Sequence, residues 1–160
     1  AIIVSGCTQK TNQEQKDIES INELFNQYVH FVETNDLNGF MSVWEDNGMR
    51  SEPGIPTLIG KEDIRARFKE IFGPFNHKTS PLSEPIVELN GDIAFSYRNA
   101  TITSTPKVGG AAAQQDVQAL TILRRQPDGS WKIYIDCVNF HPTWSMDSIP
   151  SEITGKNPYY

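Results

Sequence analysis

The chain has 160 residues, of which 38% are hydrophobic and 21% charged, and these values suit a single domain with one core. Its net charge is −6 and its longest basic run is Arg124-Arg125, so a nucleic-acid-binding protein is excluded, and a small neutral or apolar ligand fits better than a polyanion. The cysteines form no C-x-x-C pattern and the three histidines are scattered, so the sequence predicts no metal site.

The N-terminal segment Val-Ser-Gly-Cys over residues 4–7 resembles the lipobox of bacterial lipoproteins, in which two small residues precede the lipid-bearing cysteine. The apolar residues before it are typical of the end of a signal peptide. We expect residues 1–7 to be the remnant of that peptide, with Cys7 lipidated, and residues 8–16 to be a polar tether. The protein would then be anchored at the bacterial cell envelope, on its periplasmic or extracellular face, through this lipid. The alternative is a chance apolar tetrad before a free cysteine.

Apolar side chains recur at helical spacing in three segments of the first half of the chain. We predict helices over residues 17–34, 37–44 and 61–72. A loop rich in proline and glycine, residues 51–56, separates the second helix from the third. Gly73-Pro74 ends the third helix.

The second half of the chain has the signals of strands. A short apolar strand over residues 85–89 is followed by Asn90-Gly91, a strong signal for a two-residue hairpin turn. Three longer strands follow, over residues 93–103, 117–125 and 131–141. Helices followed by an antiparallel meander predict an α+β fold with the helices on one side of the sheet.

Alternation along the strands assigns side chains to the two faces of the sheet. In the last strand, Cys137, Asn139 and His141 share a face with the apolar residues Ile133 and Ile135. If that face is concave, Asn139 and His141 are polar groups at one end of a pocket and Cys137 is a buried, inert thiol. Asp136 would then point away from the pocket, where Lys132 or Arg124 could pair with it.

The order of these elements resembles the SnoaL-like branch of the nuclear transport factor two-like superfamily, over residues 17–141. The resemblance rests on four stretches, which are Asn35-Asp36-Leu37, Trp44-Glu45-Asp46, residues 60–64 and residues 120–133. It implies a cystatin-like α+β barrel, in which three N-terminal helices pack on a strongly curved antiparallel sheet around a conical pocket. It also implies a homodimer formed through the outer sheet face. Residues 142–160 would form a C-terminal tail.

Residues 24–53 can be laid on ketosteroid isomerase without a gap. Tyr28 then falls where that enzyme has its hydrogen-bonding tyrosine, and Glu52 where it has its general base. Such a carboxylate takes a proton next to a carbonyl, and the tyrosine hydroxyl stabilises the enolate. The second oxyanion donor of that enzyme, an aspartate, falls at or near Thr121, whose hydroxyl is a weaker donor.

The predicted site therefore has three catalytic candidates and four pocket residues. The catalytic candidates are Tyr28, Glu52 and His141; the pocket residues are Trp44, Tyr97, Thr121 and Asn139. Each catalytic candidate also has a purely structural interpretation. Tyr28 would be a core tyrosine, Glu52 a solvated loop carboxylate and His141 a histidine at the rim of the pocket.

Three functions remain open from the sequence. The first is binding of a small apolar molecule in the pocket, with or without cofactor-independent acid–base catalysis. The second is an isomerase or dehydratase of a small carbonyl compound that uses no cofactor. The third is a non-catalytic interaction or structural domain of an envelope lipoprotein.

Overall fold

The structure, a computed structural model, describes residues 11–140. Within that range, three helices and seven strands follow one another along the chain. They are α1 Asn12–Thr34, α2 Leu37–Ser42, β1 Trp44–Ser51, β2 Leu58–Ile59, α3 Lys61–Phe72, β3 Phe75–Pro81, β4 Ile86–Asn90, β5 Ile93–Pro106, β6 Ala113–Arg125 and β7 Trp131–Phe140.

Helix α1 begins at Asn12, earlier than the periodicity of apolar residues predicts, so residues 12–16 of the predicted tether are helical. A capping box explains this start. The Thr11 hydroxyl accepts from the Glu14 amide at 3.2 Å, and the Glu14 carboxylate accepts from the Thr11 amide at 2.6 Å. Asn35, in the left-handed conformation with φ 54°, ends the helix.

The prediction of a second helix over residues 37–44 is wrong at its C-terminal end. Helix α2 has six residues, and Trp44 begins strand β1. Strand β1 lies between β2 and β7, and β7 is distant from it in sequence. Strand β3, which the sequence did not predict, likewise pairs with a distant part of β5. Local periodicity carries little information about such long-range pairing.

The α+β fold is confirmed, with helices packed on one side of a curved sheet. The strand order is β2-β1-β7-β6-β5-β3, and β4 also pairs with β5. The sheet is open and mixed, because β1 runs parallel to β7. The other strand pairs of the described residues are antiparallel, as the sequence predicts. None of the described helices is long and apolar enough to cross a membrane.

A β-bulge in β7 sets which side chains face the helices. Ile122 pairs with Ile135 but Leu123 pairs with Ile133, so Tyr134 is an extra residue. The alternation of β7 therefore reverses at this point. Beyond the bulge, Asp136 is fully buried on the inner face.

The core fills one part of the space between the helices and the sheet. Phe40 of α2 lies at its centre, with its ring 4.0 Å from that of Phe68 and 6.0 Å from that of Trp44. A bidentate ion pair from Arg125 to Asp17, at 2.6 and 2.7 Å, holds the start of α1 on β6. The remaining space between α1, α3 and the sheet is a cavity.

Candidate functional site

The cavity has a volume of about 310 Å³, within the usual range for small-molecule sites. Its walls are largely apolar and come from helices α1 and α3 and from the inner faces of β5, β6 and β7. They include Val32, Ile71, Ala100, Ile102, Val117 and Val138. One part of the wall, near β1, is lined by charged side chains and one tyrosine. They come from β1 and from neighbouring positions on the other elements: Tyr28, Arg50, Glu52, Arg67, Arg98 and Asp136.

Arg50 is the centre of this charged cluster. The parallel register of β1 and β7 pairs Arg50 with Asp136, so both side chains lie side by side on the inner face. The Arg50 guanidinium donates through Nη1 to Asp136 Oδ2 at 2.5 Å and through Nε to Glu52 Oε2 at 3.0 Å. All three residues are at most 6% exposed. Arg50 therefore satisfies one oxygen of each carboxylate in a desolvated site.

Glu52 is neither a solvated loop carboxylate nor a free base in this structure. Its second oxygen, Oε1, accepts from Nε of Arg67 on α3 at 2.7 Å. Both carboxylate oxygens are thus engaged by guanidinium groups. Taking a proton from a ligand would remove the charge on which both ion pairs depend.

Tyr28 lies on the cavity wall, and its hydroxyl oxygen is 3.5 Å from Nη1 of Arg50. Its ring packs against Phe40, with 4.9 Å between the centroids. Burial raises the pKa of the Tyr28 phenol above its ordinary value. The phenol is therefore protonated at neutral pH and can donate a hydrogen bond into the cavity.

Thr121 lies behind the charged cluster instead of on the cavity wall. It is fully buried, pairs directly with Asp136 across β6 and β7, and donates to Asp136 Oδ1 at 2.7 Å. The sequence predicted that Asp136 points outward and pairs with Lys132 or Arg124. That prediction is wrong, because the bulge turns Asp136 inward, so a carboxylate does lie beside Thr121.

Arg98, on the inner face of β5, is the arginine of the cluster whose charge is least neutralised by nearby carboxylates. Its Nη2 donates to Thr121 Oγ1 at 3.1 Å and is 3.8 Å from Asp136 Oδ1. Its guanidinium stacks on the ring of Phe25 at 3.6 Å from the centroid. The buried Nε has no hydrogen-bond partner among the described residues. Burial lowers the pKa of Arg98 from its ordinary value, and the attraction of Asp136 offsets only part of this effect.

His77 of β3 is a further cavity residue. Its Nδ1 is 3.1 Å from Ser104 Oγ and its Nε2 is 3.4 Å from the Ile71 carbonyl oxygen. Burial lowers the pKa of His77, so the ring is neutral at neutral pH. A neutral ring donates from Nε2 to the carbonyl and accepts at Nδ1 from the Ser104 hydroxyl. Both ring nitrogens are then occupied by the protein.

The structure brings only part of the predicted site together. Tyr28 and Glu52 both line the cavity. Trp44 is fully buried in the core, and the prediction that it lines the pocket is wrong. The prediction that Tyr97 and Asn139 line the pocket is also wrong, because both side chains lie on the outer face of the sheet. Cys137 also lies on this face and is half-buried.

The reasons for the two misplaced strand residues differ. Tyr97 alternates along β5 with the cavity residues Arg98 and Ala100, so its side chain lies on the opposite, outer face. Asn139 was placed inside because strict alternation ignores the bulge. His141 and Cys7 lie outside the described residues.

Sequence reasoning missed the arginines that dominate the site. Arg98 is flanked on its strand face by the small residues Ser96 and Ala100, a local pattern that does not by itself indicate a buried site. Arg50 lies two residues from Glu52, but its other partner, Asp136, is 86 residues away, and Arg67 reaches Glu52 from helix α3. Within residues 11–140, no group of three His, Cys, Asp or Glu side chains is arranged to hold a metal ion.

Comparison with solved structures supports the fold. A ketosteroid isomerase-like protein from Erwinia carotovora atroseptica is 23% identical, with a TM-score of 0.69, over 82% of this chain and 99% of its own. A nuclear transport factor 2-like superfamily protein from Salmonella enterica is 13% identical, with a TM-score of 0.75, over 85% and 99%. A Streptomyces avermitilis protein of the NTF2-like family, named as a candidate dehydratase, is 20% identical, with a TM-score of 0.72, over 81% and 99%. At these identities the likeness is one of fold.

Among proteins of curated function, none matches the chain significantly. The family of SnoaL-like domains matches residues 21–135, which contain most of the helices and strands and every member of the charged cluster except Asp136. With the fold of its structural neighbours and this match over more than half of its length, the chain belongs to the SnoaL-like domain family of the NTF2-like superfamily.

Proposed function

We propose that this chain binds a small, mainly apolar molecule in the cavity, with a polar group of that molecule directed at the charged cluster. The observation that carries the proposal is an apolar cavity whose polar side chains converge on one part of its wall. The apolar walls provide affinity for a hydrocarbon body by removing it from water. The tyrosine and the guanidinium groups offer donors to an oxygen of the ligand.

Binding without reaction is favoured by the state of the two carboxylates. Glu52 has both oxygens engaged by Arg50 and Arg67. Asp136 has its oxygens engaged by Arg50 and Thr121. If either carboxylate acted as a general base, the proton that it took up would remove the charge on which its ion pairs depend.

An acid–base reaction is the second candidate, and one observation favours it. The protonated phenol of Tyr28 lies on the cavity wall, where it could stabilise a developing oxyanion. Glu52 would act as base after ligand entry displaced Arg67, or His141 would do so. Tyr28→Phe and Glu52→Gln would abolish turnover of a carbonyl ligand if they act this way; unchanged turnover in folded variants would exclude these roles.

The binding proposal is tested with a neutral probe, 2-naphthamide, and a variant that fills the cavity. Ala100, on the inner face of β5, lines the cavity, so Ala100→Phe places a ring inside it. The matched control is Ala112→Phe, at an exposed loop position. We expect 2-naphthamide to raise the melting temperature of the parent and of the control, but not of Ala100→Phe. Equal shifts in all three proteins, or no shift in the parent, would contradict cavity binding.

A further inference from the structure

We propose that the ligand of this cavity is an organic monocarboxylate, an apolar body that ends in a single carboxylate, and that Arg98 is its charge partner. This inference rests on the proposed binding function and names the class of ligand. It differs from the expectation of a neutral apolar ligand that the net negative charge of the chain suggests.

The first step is the balance of charge in the cavity wall. Its ionised side chains are three arginines, at positions 50, 67 and 98, and two carboxylates, at positions 52 and 136. Tyr28 and His77, which also line the cavity, are neutral at neutral pH. The wall therefore has one more positive charge than negative charges. Glu70 lies 3.9 Å from Arg67, but its side chain is 76% exposed, so water screens its charge.

The second step locates the excess charge. Arg50 donates to both carboxylates, and Arg67 donates to Glu52. Arg98 has no carboxylate within hydrogen-bonding distance, since its nearest one, on Asp136, is 3.8 Å away. The ring of Phe25 stacks on the guanidinium but provides no counter-charge. The side chain of Arg98 is only 18% exposed, and charged side chains with so little exposure are usually paired in proteins, so we expect its missing partner to come from a ligand.

The third step identifies the chemistry of that partner. The planar guanidinium matches the geometry of a carboxylate, which can accept two parallel hydrogen bonds from it. A single negative charge neutralises the excess in the wall, whereas a phosphate dianion would leave a new buried charge. The apolar residues on the rest of the wall require an apolar body.

The experiment compares two probes of the same shape, 2-naphthoate and 2-naphthamide, by isothermal titration calorimetry at pH 7. We expect the parent protein to bind the carboxylate about tenfold more tightly or better, because a charge-assisted hydrogen bond is stronger than a neutral one. Arg98→Met should bind both probes equally, at the affinity of the parent for the amide. Arg98→Lys, which keeps the charge, should retain a preference for the carboxylate.

The matched control is Arg124→Met, because Arg124 lies outside the cavity, stacked on Tyr134 and 3.5 Å from Glu45. This variant should keep the full preference for 2-naphthoate. Equal affinities of the parent protein for the two probes would overturn the inference and leave the binding proposal intact. A preference that survives in Arg98→Met would overturn the role of Arg98. Failure of the parent to bind either probe would overturn both proposals.

Discussion

Replacing Arg50 tests whether the charged cluster holds the sheet together as well as forming the site. Arg50→Met keeps the length of the side chain but removes both ion pairs, which lie in a fully desolvated position. It also removes the stacking of the guanidinium over Phe68, 4.9 Å from the ring centroid. Glu52 Oε2 and Asp136 Oδ2 then lose the hydrogen bonds that Arg50 donates to them in a buried position.

The expected loss of stability follows from these partners. Breaking a buried ion pair by removing one member costs about 3–5 kcal/mol. Arg67 still binds Glu52, and Thr121 still donates to Asp136, so each carboxylate keeps a partner. We therefore expect a loss near the lower limit, about 3 kcal/mol. Arg124→Met, at a half-exposed ion pair on the outer face, should cost about 1 kcal/mol or less.

Urea unfolding followed by tryptophan fluorescence measures this difference, since Trp44 and Trp131 are both buried. Asp136→Asn should cost less in the Arg50→Met background than in the parent, because its charge is then no longer paired with Arg50. An Arg50→Met variant as stable as Arg124→Met would refute the reasoning. So would additive effects of the two substitutions at positions 50 and 136.

Three further predictions concern other parts of the molecule. The hydrogen bonds from Arg125 lower the pKa of Asp17, so this pair stabilises the fold above about pH 4. The stability advantage of the parent over Asp17→Asn should disappear as the pH falls below that value; a constant difference in pH-dependent urea unfolding would contradict it. Phe95 is 42% exposed on the outer sheet face, where we expect a homodimer, so Phe95→Glu should give a monomer in analytical ultracentrifugation; a monomeric parent would exclude this interface. Cys7→Ser should move the protein from the detergent phase to the aqueous phase after expression in a bacterium, and unchanged partitioning would exclude lipidation at Cys7.

Local features of the sequence determined much of the fold. Three of these features each involve only a few neighbouring residues, and the structure agrees with all of them. They are the apolar periodicity of the first helix, the Gly-Pro pair that ends the third helix and the Asn90-Gly91 turn. The SnoaL-like family could also be recognised from short stretches between these elements. Tyr28 and Glu52 could be predicted as pocket residues because they lie in a stretch that aligns with ketosteroid isomerase without a gap.

Only the tertiary structure decided which side chains form the site. The pairing of Arg50 with Asp136 joins positions 86 residues apart, and no local pattern indicates it. The inward position of Asp136 depends on one extra residue in β7, which reverses every side chain that follows it. The sequence by itself therefore determined a SnoaL-like α+β domain. The charged wall of its cavity follows from long-range strand register, because register alone decides which face of the sheet each side chain occupies.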